Sequence, residues 1–413
     1  MKYGLIGEKL GHSFSPEIHT ALAPYPYELC EMRREELEDF FRRRDFCGVN
    51  VTIPYKATVI PLLDEVDPGA AEIGAVNTVV NRGGRLYGYN TDLAGMAALF
   101  TRAGISLSGK KALILGTGGT SRTAAAAARL AGAREILKVS RTGREGALTY
   151  EDAVSLHADA QILINTTPCG MFPDTDGTPI DLAAFPRLEG VIDVIYNPLR
   201  TRLVLAAKER GIPAAGGLYM LVMQAREAAS LFLGEEIPQK KAENAYRALL
   251  KKKENLVLTG MPGAGKSTIG RLTARRLGLP FYDTDAIFVR RAGRSIPSYF
   301  EEFGEAAFRR EEKEIVRELS LLSGAVIATG GGAVLDPENV RRLRQNGRIV
   351  LIDRKPSEIP NISGRPLARD RTMLEARYRE RFALYHETAD EVIRAVPNLQ
   401  KNIERLTEIA IRR

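Results

Sequence analysis

The sequence of 413 residues has only three cysteines, Cys30, Cys47 and Cys169. They are too few and too scattered for a disulfide framework or a zinc cluster in a chain this long, so a reducing compartment, the cytoplasm, is expected. No uninterrupted apolar stretch approaches the roughly 18 residues that mark a membrane span, and no membrane role is expected. The opening MKYGLIG has one lysine and no apolar core leading to a small-residue cleavage site, so export is not expected either. Internal repeats and low-complexity stretches are missing. The net charge of +8 could suggest a nucleic-acid partner. The lysines and arginines are dispersed, however, with Lys251-Lys252-Lys253 a tight run, and anionic small molecules account for the charge without nucleic acid. Nothing in these patterns gives the oligomeric state.

The length exceeds what one hydrophobic core usually organises, so two or three domains are expected. Two glycine-rich loops dominate the pattern. Each follows an apolar β-type run and opens a helix-compatible stretch: GTGGTSRTAAAAARLAG after Lys111–Leu115, and GMPGAGKSTIGRLTARRLG after Asn255–Thr259. Apolar runs at 134–139, 161–164 and 190–194, then at 325–328 and 348–352, alternate with helical segments, including about 304–320 and 371–385. That cadence belongs to βαβ units and parallel sheets. The polar segment 235–254 reads as an amphipathic helix, with the domain junction at its end.

The second loop is the more specific. Gly260-Met-Pro-Gly263-Ala264-Gly265-Lys266-Ser267 fits G-x-x-x-x-G-K-[ST], in which backbone N–H groups cradle phosphates, the lysine reaches the β and γ oxygens and the hydroxyl ligates magnesium. Thr268 follows in the same turn. A nucleoside triphosphate site with magnesium is expected. Asp283 and Asp285 stand at strand-end spacing, so both side chains leave one side of an extended chain. One could orient a magnesium-bound water and the other a substrate hydroxyl, although a helix N-cap is a fair alternative for Asp283 alone.

The first loop, Gly116-Thr-Gly118-Gly119-Thr120-Ser121, fits the dinucleotide fingerprint with Ser121 in place of the third glycine. At the end of the next strand, Ser140, Arg141, Thr142 and Arg144 occupy the place where an NAD enzyme puts an acidic residue on the ribose. Cations there suit a 2′-phosphate, and NADP is expected over NAD; a solvated turn is the bland alternative. Ahead of this loop run Gly11-His12-Ser13-Phe14-Ser15-Pro16, Asn50-Val-Thr52-Ile-Pro-Tyr-Lys56, Gly74-Ala-Val-Asn77-Thr78 and Gly88-Tyr-Asn90-Thr-Asp92. Taken singly, the serines read as helix caps, Asn77 as a turn residue and Lys56 as a surface lysine.

Taken in order, these four segments resemble the shikimate dehydrogenase family. The resemblance continues through Asn165-Thr-Thr-Pro-Cys-Gly170-Met171, Asp193-Val-Ile-Tyr196-Asn-Pro198 and Gly216-Gly217-Leu-Tyr-Met-Leu-Val-Met-Gln224, over about residues 1–250. From 255 to 413 the chain resembles shikimate kinase, through the phosphate loop, Asp283/Asp285, Phe308-Arg309-Arg310-Glu311-Glu312, Gly330-Gly331-Gly332 and Arg365-Pro366-Leu367. The resemblance implies an α/β chain. A shikimate-binding catalytic domain is expected at 1–92 plus 215–250, a Rossmann NADP domain at 93–214, and a P-loop kinase domain with a parallel sheet at 255–413.

It further implies reduction of 3-dehydroshikimate by NADPH, with Lys56 as proton donor paired to Asp92, followed by ATP-dependent phosphorylation of shikimate at Asp285. Ser13 and Ser15 would bind the ring carboxylate, and Thr52, Asn77, Asn90 and Gln224 the hydroxyls. The cofactor would lie on Gly116, Gly118, Gly119, Thr120, Ser140, Arg141, Thr142, Arg144 and Gly217. In the kinase, Arg309 and a second arginine, Arg381 or alternatively Arg377, would hold the shikimate carboxylate, beside Gly331 and Gly332. Arg365 would meet ATP, and Ser267 and Asp283 the magnesium. His12 and His19 are read as structural. The rival readings are an NAD-using quinate/shikimate dehydrogenase fused to a small-molecule kinase, and one half surviving as an inactive shikimate sensor.

Overall fold

A computed structural model describes the chain except at residues 1, 12, 145, 360–370 and 413. It separates into two compact units, Met1–Leu249 and Leu250–Arg413.

The first unit holds two sheets. One contains β1 (Tyr3–Gly7), β2 (Glu28–Glu31), β3 (Gly48–Val51), β4 (Glu65–Val66), β5 (Thr78–Arg82) and β6 (Arg85–Tyr89), in the order β2-β1-β3-β5-β6-β4. β1 runs parallel to β2 and β3, whereas β5 is antiparallel to β3 and β6. The other contains β7 (Lys111–Leu115), β8 (Glu135–Val139), β9 (Ile162–Asn165), β10 (Gly190–Asp193) and β11 (Ala214–Ala215), all parallel in the order β11-β10-β9-β7-β8. β7, β9 and β10 are buried along their whole length. That is why they read as unbroken apolar runs rather than as alternating ones: helices cover both faces of a parallel sheet. The chain leaves β7 in one direction to β8 and later returns on its other side to β9, so the crevice for a ligand opens at the carboxyl end of β7.

The second unit holds one parallel sheet, β13-β14-β12-β15-β16, made of β12 (Asn255–Thr259), β13 (Phe281–Asp283), β14 (Val326–Ala328), β15 (Gly347–Asp353) and β16 (Glu391–Arg394). β12 again lies at the point where strand order reverses, so the phosphate loop that follows it faces a crevice. The helix Ile296–Ser320 is broken at Gly304 (φ 80°, ψ 168°), and its regular run begins where the apolar spacing put it, near 304.

Two expectations are revised. Asp283 and Asp285 do not share an extended segment: Asp283 ends β13 and its carboxylate accepts the Ala286 N–H, so Asp285 already lies in the first turn of the helix Thr284–Ala292. A carboxylate cap starts the helix a residue before a strand-end pair could form. The junction, placed at the end of the 235–254 segment, falls instead inside the helix Gln239–Lys253. Its earlier turns belong to the first unit. There Arg102 lies over the rings of Tyr219 and Tyr246, 4.3 and 4.5 Å from their centroids, and Glu243 bonds both Arg102 and the Tyr219 hydroxyl. Its last turn belongs to the second, where Lys253 O accepts from Gly324 N and Glu254 pairs with Arg348.

Candidate active sites

In the first unit, Lys56 sits in the turn after β3 and Asp92 is the first residue of the helix Asp92–Ala103, where the positive end of the helix dipole favours a carboxylate. The two meet at 2.5 Å, Lys56 Nζ to Asp92 Oδ2, with side chains 14% and 8% exposed. Partial burial makes this pair far more directive than a surface ion pair, because water screens it little. A Cβ added to Gly119 would lie 3.8 Å from Lys56. The glycine loop after β7 therefore ends beside the lysine–aspartate pair, although the two are far apart in sequence.

The surrounding polar groups fall into three sets. Ser13 Oγ donates to Ser15 Oγ at 3.1 Å, and Ser15, almost buried, opens the helix Ser15–Leu22. Thr52 follows β3 with its methyl against Gly7. Asn77, Thr91 and Gln224 form a buried cluster: Asn77 Oδ1 accepts Thr91 N–H at 2.7 Å, and Asn77 Nδ2 donates to Thr91 Oγ1 at 3.0 Å and Gln224 Oε1 at 3.5 Å. Asn90 bonds to three other groups of the protein. Its amide donates to Ala75 O and Thr123 Oγ1 and its oxygen accepts Leu93 N–H, so it ties the Asp92 helix to the cofactor-loop helix.

The cofactor loop shows why serine serves where a third glycine is usual. Ser121, fully buried, donates to Gly116 O at 2.7 Å and so closes the loop on itself. Gly116 has φ 113°, and a Cβ on Gly118 would meet open space, so the N-terminus of the helix Gly119–Leu130 is accessible to an anion. Thr120 is half-buried in its first turn. Ser140 Oγ accepts Gly143 N–H and shapes the turn after β8, from which Arg141, Thr142 and Arg144 stand exposed. Gly217 tolerates no side chain, because a Cβ would collide with Val194 O. An open cleft at the other end of the same strands, lined by Gly109, Arg134, Asp159, Gln161, Arg187 and Glu189, is remote from all of this. Its two carboxylates are taken up by Lys111 and Lys110.

Asp193, at the end of β10, is fully buried, and burial pushes its carboxyl up to about 6 against the opposing bonds from Thr201, Ile195 N–H and Asn165. A carboxyl raised from 3.8 in the unfolded chain to about 6 in the folded one stabilises fully below pH 3.8. That contribution is lost as pH rises to about 6 and amounts to about 3 kcal/mol. Asp193→Asn is therefore expected to flatten the fall in stability between pH 4 and 6 relative to the parent, read by hydrogen exchange of β9 and β10 amides. Parallel pH curves would refute it.

In the second unit, three glycines form the hub. A Cβ on Gly330 would lie 2.7 Å from both Asp285 Oδ1 and Glu312 Oε1; on Gly331 it would strike Pro262 of the phosphate loop, and on Gly332 the Arg309 guanidinium. Arg381 Nη1 donates to Gly331 O at 3.3 Å, and the Tyr385 hydroxyl donates to the same oxygen, while Arg381 Nε is buried with no partner among the described residues. Of the two candidate arginines, Arg381 is thus the one bonded to this hub. Arg309 is held by Glu312 at 2.7 Å and by Glu305 at 2.8 Å.

Glu312 is the residue the sequence reading left out of the site. It is 3% exposed, its Oε1 has no partner among the described residues, and burial, aided by the neighbouring Asp285, raises its carboxyl against the pull of Arg309. The signal was present, since Glu312 is three residues after Arg309 on one helix face.

The phosphate loop has Gly260, Gly263 and Gly265 at positive φ, with Gly265 preceding the helix Lys266–Leu277. Ala264 is buried, Ser267 half-buried and Thr268 exposed in that first turn. Lys266 Nζ donates to Gly260 O and Met261 O. Arg365 lies outside the described residues, as does His12.

The first unit is thus built as a dinucleotide-dependent oxidoreductase and the second as a P-loop phosphotransferase. A family model for the shikimate dehydrogenase substrate binding domain matches residues 5–79, and one for shikimate kinase matches 262–410. The shikimate dehydrogenase (NADP(+)) of Clostridium perfringens strain SM101 is 34% identical over 265 residues, covering 60% of this chain and 97% of that protein. Among solved structures, shikimate 5-dehydrogenase from Thermus thermophilus in complex with NADP(H) and shikimate is 34% identical with a TM-score of 0.55, over 60% of this chain and 99% of that one. A chorismate mutase/shikimate 5-dehydrogenase fusion protein from Clostridium acetobutylicum is 32% identical with a TM-score of 0.58, over 60% and 97%. The chain belongs to the shikimate dehydrogenase family and carries a shikimate kinase domain behind it, a bifunctional arrangement serving the shikimate pathway.

Proposed function

We propose that the first unit reduces 3-dehydroshikimate to shikimate with NADPH in preference to NADH, and that the second phosphorylates shikimate to shikimate 3-phosphate with ATP and Mg2+. The observation that carries the first half is the Lys56–Asp92 pair abutting Gly119 of the cofactor loop. NADPH, when bound, supplies the hydride. Lys56 donates a proton to the carbonyl oxygen as it becomes a hydroxyl, and Asp92 holds the lysine in place and accepts from the same hydroxyl. Ser13 and Ser15 orient the ring carboxylate, and Thr52, Asn77 and Gln224 orient the hydroxyls. Asn90 braces the cleft through Ala75 and Thr123.

In the kinase unit ATP supplies the phosphoryl group. Lys266 and the loop amides of Gly263, Ala264 and Gly265 hold its phosphates, and Asp285 accepts the proton of the attacking hydroxyl. Arg309, aimed by Glu312, and Arg381 clamp the carboxylate in the bidentate manner of guanidinium groups. Ser267, and Asp283 through a water, fit the magnesium ion, since this ion takes few protein ligands and keeps phosphate oxygens and waters for the rest. The product of the first reaction is the substrate of the second, which supports reading the halves together. A coupled assay tests the whole: 3-dehydroshikimate with NADPH and ATP should give shikimate 3-phosphate, and absence of either step rejects that half.

The exposed Arg141 and Arg144 after β8 suit the 2′-phosphate. Arg141→Ala is expected to raise KM for NADP about tenfold while leaving KM for NAD unchanged, in keeping with loss of one charged hydrogen-bonding contact. A wild type that prefers NAD would show that these arginines serve no phosphate.

A further inference from the structure

Thr123 is a buried side chain on the cofactor-loop helix Gly119–Leu130, 1% exposed, that no step of the proposed reaction uses. Its hydroxyl stands between two partners. It accepts from Asn90 Nδ2 at 3.2 Å and donates to Gly119 O, one turn back on its own helix, at 3.3 Å. Gly119 is the residue where the loop meets the lysine–aspartate pair, since a Cβ added there would lie 3.8 Å from Lys56 and 3.9 Å from Ala75.

A hydroxyl that donates to the carbonyl four residues earlier is common in helices and by itself says nothing of function. What sets Thr123 apart is its second partner. Asn90 is fixed without Thr123, by backbone groups on its own side: Nδ2 donates one hydrogen to Ala75 O at 2.8 Å, and Oδ1 accepts the Leu93 N–H at 3.2 Å. The second hydrogen of that amide therefore has a set direction, and it points to Thr123.

Leu93 lies in the first turn of the helix that Asp92 opens. One amide thus holds the start of the Asp92 helix, the alanine that borders Gly119 and, through the Thr123 hydroxyl, the carbonyl of Gly119 itself. Lys56 is placed against Gly119 by contact and Asp92 by these bonds, so both members of the pair are referred to one point of the cofactor loop. One residue earlier, Arg122 Nη1 donates to Gly74 O at 3.4 Å, but that bond is exposed and water competes for it.

Hydride goes to the carbon of a carbonyl group and the proton to its oxygen, the first from a cofactor carried behind β7 and the second from a lysine carried behind β3. Misplacing one against the other by about 1 Å is enough to slow a reaction on the order of 100-fold. We propose that Thr123 is a positioning residue of the dehydrogenase, its hydroxyl registering the cofactor loop, through Asn90, on Asp92 and Lys56. This rests on the reading of Lys56 and Asp92 as the proton-donating pair and of the loop at Gly119 as the cofactor's seat. Without the hydroxyl, the second amide hydrogen of Asn90 loses its acceptor in a buried place, and the helix draws back to admit water, taking Gly119 with it.

The test uses the full-length protein with Thr123→Val, which keeps the shape and removes the hydroxyl, and Thr123→Ser, which keeps the hydroxyl. Both are assayed for shikimate oxidation with NADP. Thr123→Val is expected to lower kcat about tenfold, with KM for NADP and for shikimate within about twofold of wild type and phosphorylation of shikimate unchanged. Rapid mixing reads the NADPH formed in a single turnover. Misregistration lowers the rate constant at full amplitude, whereas a fold merely weakened lowers the amplitude at an unchanged rate. Thr123→Ser should restore the wild-type rate constant. A single-turnover rate constant in Thr123→Val equal to that of wild type would overturn the proposal, as would a rise in KM for NADP with kcat unchanged. So would a Thr123→Ser as slow as Thr123→Val, since the methyl group and not the hydroxyl would then be what matters. Should Thr123→Val not fold, Thr123→Ala removes the same hydroxyl without the branch, and the same outcomes decide. A wild type that oxidises no shikimate, or a Lys56→Ala chain that does so at full rate, would defeat the underlying reading instead.

Discussion

Lys56→Ala is expected to lower NADP-dependent shikimate oxidation by about 10³-fold, within the range for losing a positioned general acid or base, and to leave shikimate phosphorylation by the same chain unchanged. The lysine is held at 2.5 Å from Asp92 in a site where neither side chain is more than 14% exposed, and its own stem is what a Cβ on Gly119 would meet first. A water molecule entering the vacated space would lack both the charge and the fixed position. The loss should fall mainly on kcat, because proton donation matters in the transition state and not in binding. Asp92→Asn should lose less, since the lysine remains. The measurement is steady-state turnover in both directions of the nicotinamide couple, with phosphorylation as internal control. Turnover within a few-fold of wild type in Lys56→Ala would remove Lys56 from the mechanism.

The converse substitution, Lys266→Ala, is expected to reduce phosphorylation of shikimate by at least about 100-fold, in line with removing a charged group from a site of developing negative charge, with the dehydrogenase rate unaltered. Lys266 is buried at the first turn of its helix and donates to two carbonyls of its own loop. Removing it both strips charge from the phosphates and leaves those carbonyls without that donor. Calorimetry should show shikimate still binding, because Arg309, Arg381 and Asp285 are held by Glu312, the glycine hub and the helix Thr284–Ala292. If shikimate binding disappears together with catalysis, the phosphate loop and the acceptor site are one folding element, and the division of roles given above is wrong.

The two glycine loops were legible in the sequence because their function depends on local backbone conformation, which spacing along the chain expresses directly. The same holds for strands β7, β9, β10 and β15, which burial on both faces writes as continuous apolar runs. What stayed hidden depends on tertiary approach. Glu312 stands in a quoted motif, but that it is buried follows only from the approach of its helix to Gly330. Asn90 was grouped with the hydroxyl-binding residues, and its bond to Thr123, on another element, is one that spacing along the chain does not express. The Asp283/Asp285 pair was misread because a cap competes with strand continuation, and the winner is set by where the next helix can dock. The short strands β4 and β11, two residues each, have no pattern of their own to read.

The helix Gln239–Lys253 determines how this gene can be split or recombined. Its residues up to Leu249 complete the dehydrogenase through Tyr246 and Glu243, and its last turn caps the kinase core through Lys253 and Glu254. An open reading frame ending at Glu254 would hand the dehydrogenase a surplus turn and strip the kinase of the carbonyl that meets Gly324. A kinase frame starting at Leu250 retains that carbonyl, so the boundary for separate expression, or for grafting another phosphotransferase behind this dehydrogenase, lies within a helix and not at a loop where a cloner would first look.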